Sequence, residues 1–159
     1  MADSATDGRT KVSWVLTVAN IAAPTTSELN AGTALQSFIT PDGLVGFEPE
    51  TADVDTSALD STFDTKTAGR ASFSGTLLRM KKQTGTDAVY NAMVRDTAGY
   101  IVIRRDSTSS IAWAASDKVE VYPSVLGEVR NLPPEANSLH RYEVPVKISS
   151  TPNLRATAA

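Results

Sequence analysis

Asp53, Asp55, Ser57 and Asp64 fall at positions 1, 3, 5 and 12 of a twelve-residue loop, the spacing with which an EF-hand offers oxygen ligands to calcium. The pattern breaks at two places. Ala58 stands where the tight turn needs glycine, and Asp64 stands where a bidentate glutamate closes the shell. No flanking helices are evident, so the segment reads as a solvated acidic loop without a metal. Ser74-Gly75 is half of a nucleophile elbow, but Ser72 occupies the site of the preceding glycine, and the residues read better as strand. The single histidine, His140, lies beside Arg141 with no nucleophile motif to serve, and reads as a surface or interface residue. Carboxylates are plentiful enough for a glycosidase pair, yet only Trp14 and Trp113 could stack on sugar. Trp14 belongs to an apolar strand face and is expected in the core, which leaves Trp113 as a contact residue on a loop or hairpin tip. There is no cysteine, which removes disulfides, zinc-thiolate sites and thiol nucleophiles, and no phosphate-binding glycine loop is present. No set of residues points to catalysis, and no cofactor is expected.

The charges are more informative than any motif. Between Lys11 and Lys66 there is no base, but there are eight acids: Glu28, Asp42, Glu48, Glu50, Asp53, Asp55, Asp60 and Asp64. From Lys66 to Arg105 there are eight bases against Asp87 and Asp96. Like charges crowded in one segment repel, and an opposite patch relieves them. That patch can be on the same molecule or on an identical neighbour stacked head to tail. The second option predicts an inter-subunit interface in which Glu48, Glu50, Asp53 and Asp55 meet Lys81, Lys82, Arg104 and Arg105. Exposed pairs are weak singly, at most about 1 kcal/mol, but repeat around an assembly.

These residues must be positioned by a chain of 159 residues, suited to one domain over 1–159. No apolar run approaches the ~18 residues of a spanning helix. The first residues lack a basic-then-apolar leader, which predicts a chain made and kept in a cytoplasm. A sequence pI near 5.1 argues against a grip on nucleic acid through phosphates, though not against nucleic acid sliding past.

Period-2 alternation predicts strands at Val12–Val18, Ala34–Thr40, Ala71–Lys81, Tyr100–Arg105 and Arg141–Ile148, and one or two over Lys118–Val129, interrupted near Pro123 and Gly127. Pro145, lacking a donor, is expected at a sheet edge or facing outward. Thr25–Leu29 could form one helical turn ended at Gly32. A helix of about three turns is expected after Thr84, capped by Thr84 and Asp87, stopped at Gly99, with Ala88, Val89, Ala92 and Met93 on its apolar face. Residues 1–10 and 150–159 read as flexible arms, and 43–70 as a long loop or extended hairpin. The order implies a mainly β protein: a β-sandwich or flattened barrel with one flanking α-helix.

Taken in order, several segments resemble the major tail protein (tail tube protein) of long-tailed phages that infect actinobacteria. They are Trp14–Asn20 with Ala23-Pro24-Thr25, Glu28–Gly32, Ile39–Leu44, Ser61–Lys66, Tyr122–Gly127 and a last strand ending at Thr151-Pro152. The likeness spans nearly the whole chain and rests on order and spacing. It implies a structural virion protein of the tail, assembled in the host cytoplasm. Its subunits would be β-sandwiches in hexameric rings, stacked into a tube that conducts DNA during ejection. The long loop and arms would bridge rings, and an acidic lumen would let DNA pass without specific binding. The implied partners are other copies of itself, a tape measure protein, and tail terminator and tip proteins, with no membrane anchor. The alternative is a β-sandwich binding or adhesion module for a carbohydrate or protein ligand, favoured by any large aromatic surface patch.

Overall fold

The computed structural model describes residues 1–159. Its elements run β1 Lys11–Val15, α1 Thr26–Ala31, β2 Thr33–Ala34, β3 Ile39–Val45, β4 Glu50–Asp55, β5 Lys66–Ser72, β6 Leu77–Lys81, α2 Ala88–Ala92, β7 Ala98–Arg104, β8 Lys118–Leu126, β9 Arg130–Asn131, β10 Arg141–Ile148 and β11 Asn153–Thr157. One curled antiparallel sheet follows the order β2-β1-β7-β8-β10-β6-β3, with β11 added on β8 and β9 on β10. β4 and β5 form a separate two-stranded sheet.

The curl has two cores because alternate residues of its central strands face opposite ways. Val12 and Trp14 of β1, Ile101 and Ile103 of β7, Tyr122 of β8 and Val144 of β10 point into the concave side. Leu35, Phe47, Val89 and Met93 fill it from the connections and from α2. Burying each such side chain is worth about 1.5–3 kcal/mol. On the convex side Val102, Val119 and Val121 meet Leu29 of α1, Trp113, Ala156 and Ala158. The convex side is therefore covered over β1, β7 and β8. Over β6 and β10 it stays partly open, presenting Arg79, Lys81, Arg141 and Lys147.

The mainly β fold agrees with the periodicity; several local boundaries differ. The helical turn at Thr25 forms as α1, with the Thr25 hydroxyl accepting from the Glu28 N–H and the Glu28 carboxylate accepting from the Thr25 N–H. The flanking helix shrinks to one turn: Asp87, not Thr84, caps it, and Ala98 must already be extended to pair with Val125. Val89 and Met93 still pack on the sheet of their own chain, whereas Ala88 is exposed. The strand expected over Ala71–Lys81 is two strands with different partners, β5 on β4 and β6 on β10 and β3. Gly75, at φ +63 where side chains are rarely tolerated, turns the chain between them. That bend also contains Ser74, which is not in a strand. The Ala34–Thr40 segment divides between β2 and β3.

Pro123 sits inside an unbroken β8, and the interruption comes after Leu126. Pro145 is not on an edge strand. It lies where β10 changes partner, its residues to 145 pairing with β6 and those from 146 with β8, and its carbonyl accepts from Gly127. The C-terminal arm is the largest correction. Residues 153–157 are the strand β11 along β8, and Ala156 and Ala158 are buried because small side chains let the strand lie close. The N-terminal ten residues carry no strand or helix and are almost all exposed.

Candidate functional site

The β4–β5 hairpin is where much of the acidic segment went, and its two strands are exposed along almost their whole length. Its strands run from the pair Glu50↔Ser72 to the pair Asp55↔Lys66, with an irregularity between Thr51 and Asp53. The backbone approaches Gly69 closely there: a Cβ would stand 3.0 Å from both the Ala52 carbonyl oxygen and Val54 Cγ2. The tip is tied by its own polar side chains. Thr56 donates its N–H to the Thr65 carbonyl (2.9 Å), Thr65 donates to the Ser57 hydroxyl (2.9 Å), and Ala58 donates to the Ser61 hydroxyl (2.9 Å). Ser57 N–H donates to Asp55 at 2.8 Å, which holds that carboxyl below its ordinary range. A tip so stapled presents Leu59 and Phe63 outward, at 106% and 78% exposure. The sequence reading missed these two. Large apolar residues each just before an aspartate, Leu59 before Asp60 and Phe63 before Asp64, inside a polar stretch, were the available signal.

The residues expected to form a charged interface separate into different places. Glu48, Glu50, Asp53 and Asp55 are all exposed on or beside the hairpin. Asp53 is engaged by Lys66 across the hairpin (3.0 Å), so two of the loop's charges neutralise each other locally. The same use of Asp53 and Asp55 disperses the calcium-like loop, and no group of three or more His, Cys, Asp or Glu side chains is placed to hold an ion.

Of the expected bases, Arg104 contradicts the expectation outright. It is fully buried, donating to the carbonyls of Thr108, Ile111 and Ala112 and to Asp117 (2.7 Å), with its guanidinium 5.3 Å from the centre of the Trp113 ring. Strand alternation explains this: Arg104 shares the face of Val102, which the second core covers, while Arg105 faces the other way. Arg105 makes two hydrogen bonds to Glu120 of its own chain, and Lys82 lies 4.4 Å over the Tyr90 ring. Lys81 stands opposite Arg141, partly exposed and without an acid partner. Arg79, not singled out from sequence, joins Asp42 and Glu143, and its pairing with Glu143 holds it more firmly charged.

Trp113 is likewise not a surface contact. It is buried between Arg104 and Lys11, whose Nζ donates to the Ser109 carbonyl; burial, then the Arg104 charge, lowers the lysine's pKa. With Trp14 also in the core, the molecule offers no tryptophan platform for a sugar. His140 is exposed on the turn into β10, its carbonyl accepting from Lys82.

A chain of the anti-feeding prophage baseplate, from a 6-fold symmetrised cryo-EM structure, has the same fold. The two superpose with a TM-score of 0.59 at 9% identity, over 94% of this chain and 95% of that one. No curated protein sequence matches. The family model for phage tail tube proteins matches residues 1–159. By that match over its whole length, the chain belongs to the phage tail tube protein family and is a structural protein of a phage tail.

Proposed function

We propose that this chain is the repeating subunit of a tail tube: copies close into rings, six to a ring, and the rings stack into a conduit for DNA. The carrying observation is the β4–β5 hairpin. Two strands with almost every residue exposed fall short of the three or more that stand alone in water, so a partner surface is called for. Closing the ring would also cover the sheet margins at β2 and β3, which are open in the single chain and are a liability there. The symmetry of the baseplate relative supports the ring number by analogy of fold alone. In this reading the tape measure, terminator and tip proteins meet the tube's interior or ends, and DNA passes without base-specific contact. An actinobacterial host rests on the sequence resemblance alone.

Negative-stain microscopy of concentrated purified protein tests the reading. Rings or tubes are expected, with six-fold class averages end-on. Dispersed single particles at every concentration and salt would sink it.

A further inference from the structure

We propose that the hairpin tip docks into the groove at the hairpin base of a second copy of this chain. Leu59 and Phe63 are the apolar anchors, and Asp60 and Asp64 face the second copy's Arg70 and Lys147. This rests on the assembly reading above and supplies the receptor that reading lacks.

The groove, a cavity of about 770 Å³, lies between the start of the hairpin, the turn at Gly75 and the connection from β10 to β11. Phe73, Val146, Ile148 and Leu154 give it an apolar lining, with Leu154 39% exposed. Its charged lining residues are Arg70 and Lys147, with no acid among them. Both are exposed and neither has an ion-pair partner in its own chain. The tip is the complement in both respects. Residues 56–65 hold two acids, no base and the two most exposed large apolar side chains after Met1.

The other sizeable cavities have the wrong sign for an acidic tip. The one beside Trp14 and Leu16 includes Glu28, and the one under the N-terminal arm includes Asp7. The tip cannot reach its own groove, because β5 carries it away from the base by about 23 Å at ~3.3 Å per residue. Tip and groove are therefore different patches at opposite ends of one hairpin. A contact between them is heterologous, so each copy gives one tip and receives another, and the pattern propagates without closing on a pair. The bases that receive the acidic segment are then Arg70 and Lys147, in place of Arg104 and Arg105, which are already committed within their own chain.

Because the chain has no cysteine, the contact can be trapped directly. Leu59→Cys combined with Leu154→Cys, oxidised mildly under assembly conditions, should give a ladder of linked multimers, and either substitution alone should not. Arg70→Glu with Lys147→Glu should reduce pelletable polymer at least tenfold, and adding Asp60→Lys with Asp64→Lys should restore most of it. The altered side chains are exposed, so each monomer should melt like wild type, which separates lost docking from lost folding. No ladder from the double cysteine variant, or polymer from the charge-reversed chain equal to wild type, overturns the docking while leaving the tube assignment standing. Wild-type protein that never pellets overturns both.

Discussion

β5 and β7 are strands of seven residues each with opposite surroundings. In β7 the residues Ile101, Val102 and Ile103 are wholly buried and even the terminal Arg104 is sealed in. In β5, Lys-Thr-Ala-Gly-Arg-Ala-Ser, every residue but Gly69 is exposed. Both are paired by backbone hydrogen bonds, so pairing alone does not make a strand part of a core. β7 has partners on both edges and apolar layers against both faces; β5 has β4 on one edge and nothing on its faces. A strand in the first position adds to the stability of the monomer. One in the second position orders backbone for little burial, and regains that cost only when something covers it.

Breaking the β7 side of this contrast should have the largest effect. Arg104→Ala leaves the largely buried Asp117 without its cation, beside three carbonyls that have lost their donor, and removes the guanidinium stacked on Trp113. Removal of one member of a buried ion pair costs about 3–5 kcal/mol, a large share of a small domain's stability. Denaturant melts of the monomer should show this loss. A variant within 1 kcal/mol of wild type would mean that the loop over Thr108–Asp117 does not depend on Arg104.

On the hairpin side the expected effect is on protection from exchange. In the monomer, amides of residues 50–72 and of the first ten residues should exchange fast, while β7 exchanges slowly. In assembled material the hairpin and the N-terminal segment should slow at least tenfold, with β7 unchanged. Asn153–Thr157 divides this expectation from the sequence-based one, because a strand laid on β8 should be protected in both states. Equal protection of the hairpin in monomer and assembly would contradict the bridging role proposed for it.

Much of β7's surroundings was legible in the sequence, and little of what lies beyond one element was. Alternation identified β1, β7 and β10, and the Thr25/Glu28 pair marked α1. The same alternation put Ile101 and Ile103 on one face, but nothing local says that the face of Val102 and Arg104 is also covered. That cover comes from α1, Trp113 and β11, all distant in sequence, and β11 hides in a run whose buried residues are only alanines. The break between β5 and β6 was lost because serine, phenylalanine and threonine around Gly75 continue a strand-like period; the choice of different partners makes the break. Helix α2 was overextended for a similar reason. The pairing of Ala98 with Val125 overrides a good apolar stripe and a favourable cap. Segregated charge drew attention to the hairpin, yet it could not tell which bases were already spoken for.

The smallest effect expected is a dependence on pH at the α1 cap, which belongs to the covered half of the fold. Glu28 accepts the N–H of Thr25 (2.9 Å) and of Ala19 (3.0 Å), and these bonds, the first foremost, lower its pKa from the ordinary value. A carboxyl depressed in the folded state stabilises fully above its unfolded pKa of about 4.3 and loses that contribution as pH falls below it. Stability should thus be flat from neutral pH to about 5 and decline beneath it. Glutamine has one accepting oxygen where Glu28 uses two, so Glu28→Gln should lose one bond at every pH and part of the acid-side slope. Asp42, held down chiefly by the Thr40 hydroxyl, and Asp55, held down by the Ser57 N–H, decline in the same window. The residual slope in Glu28→Gln should therefore not vanish. Melts of both proteins at pH 7, 5 and 3 decide it: identical slopes would place the acid sensitivity on those two aspartates and leave the α1 cap no measurable part in it.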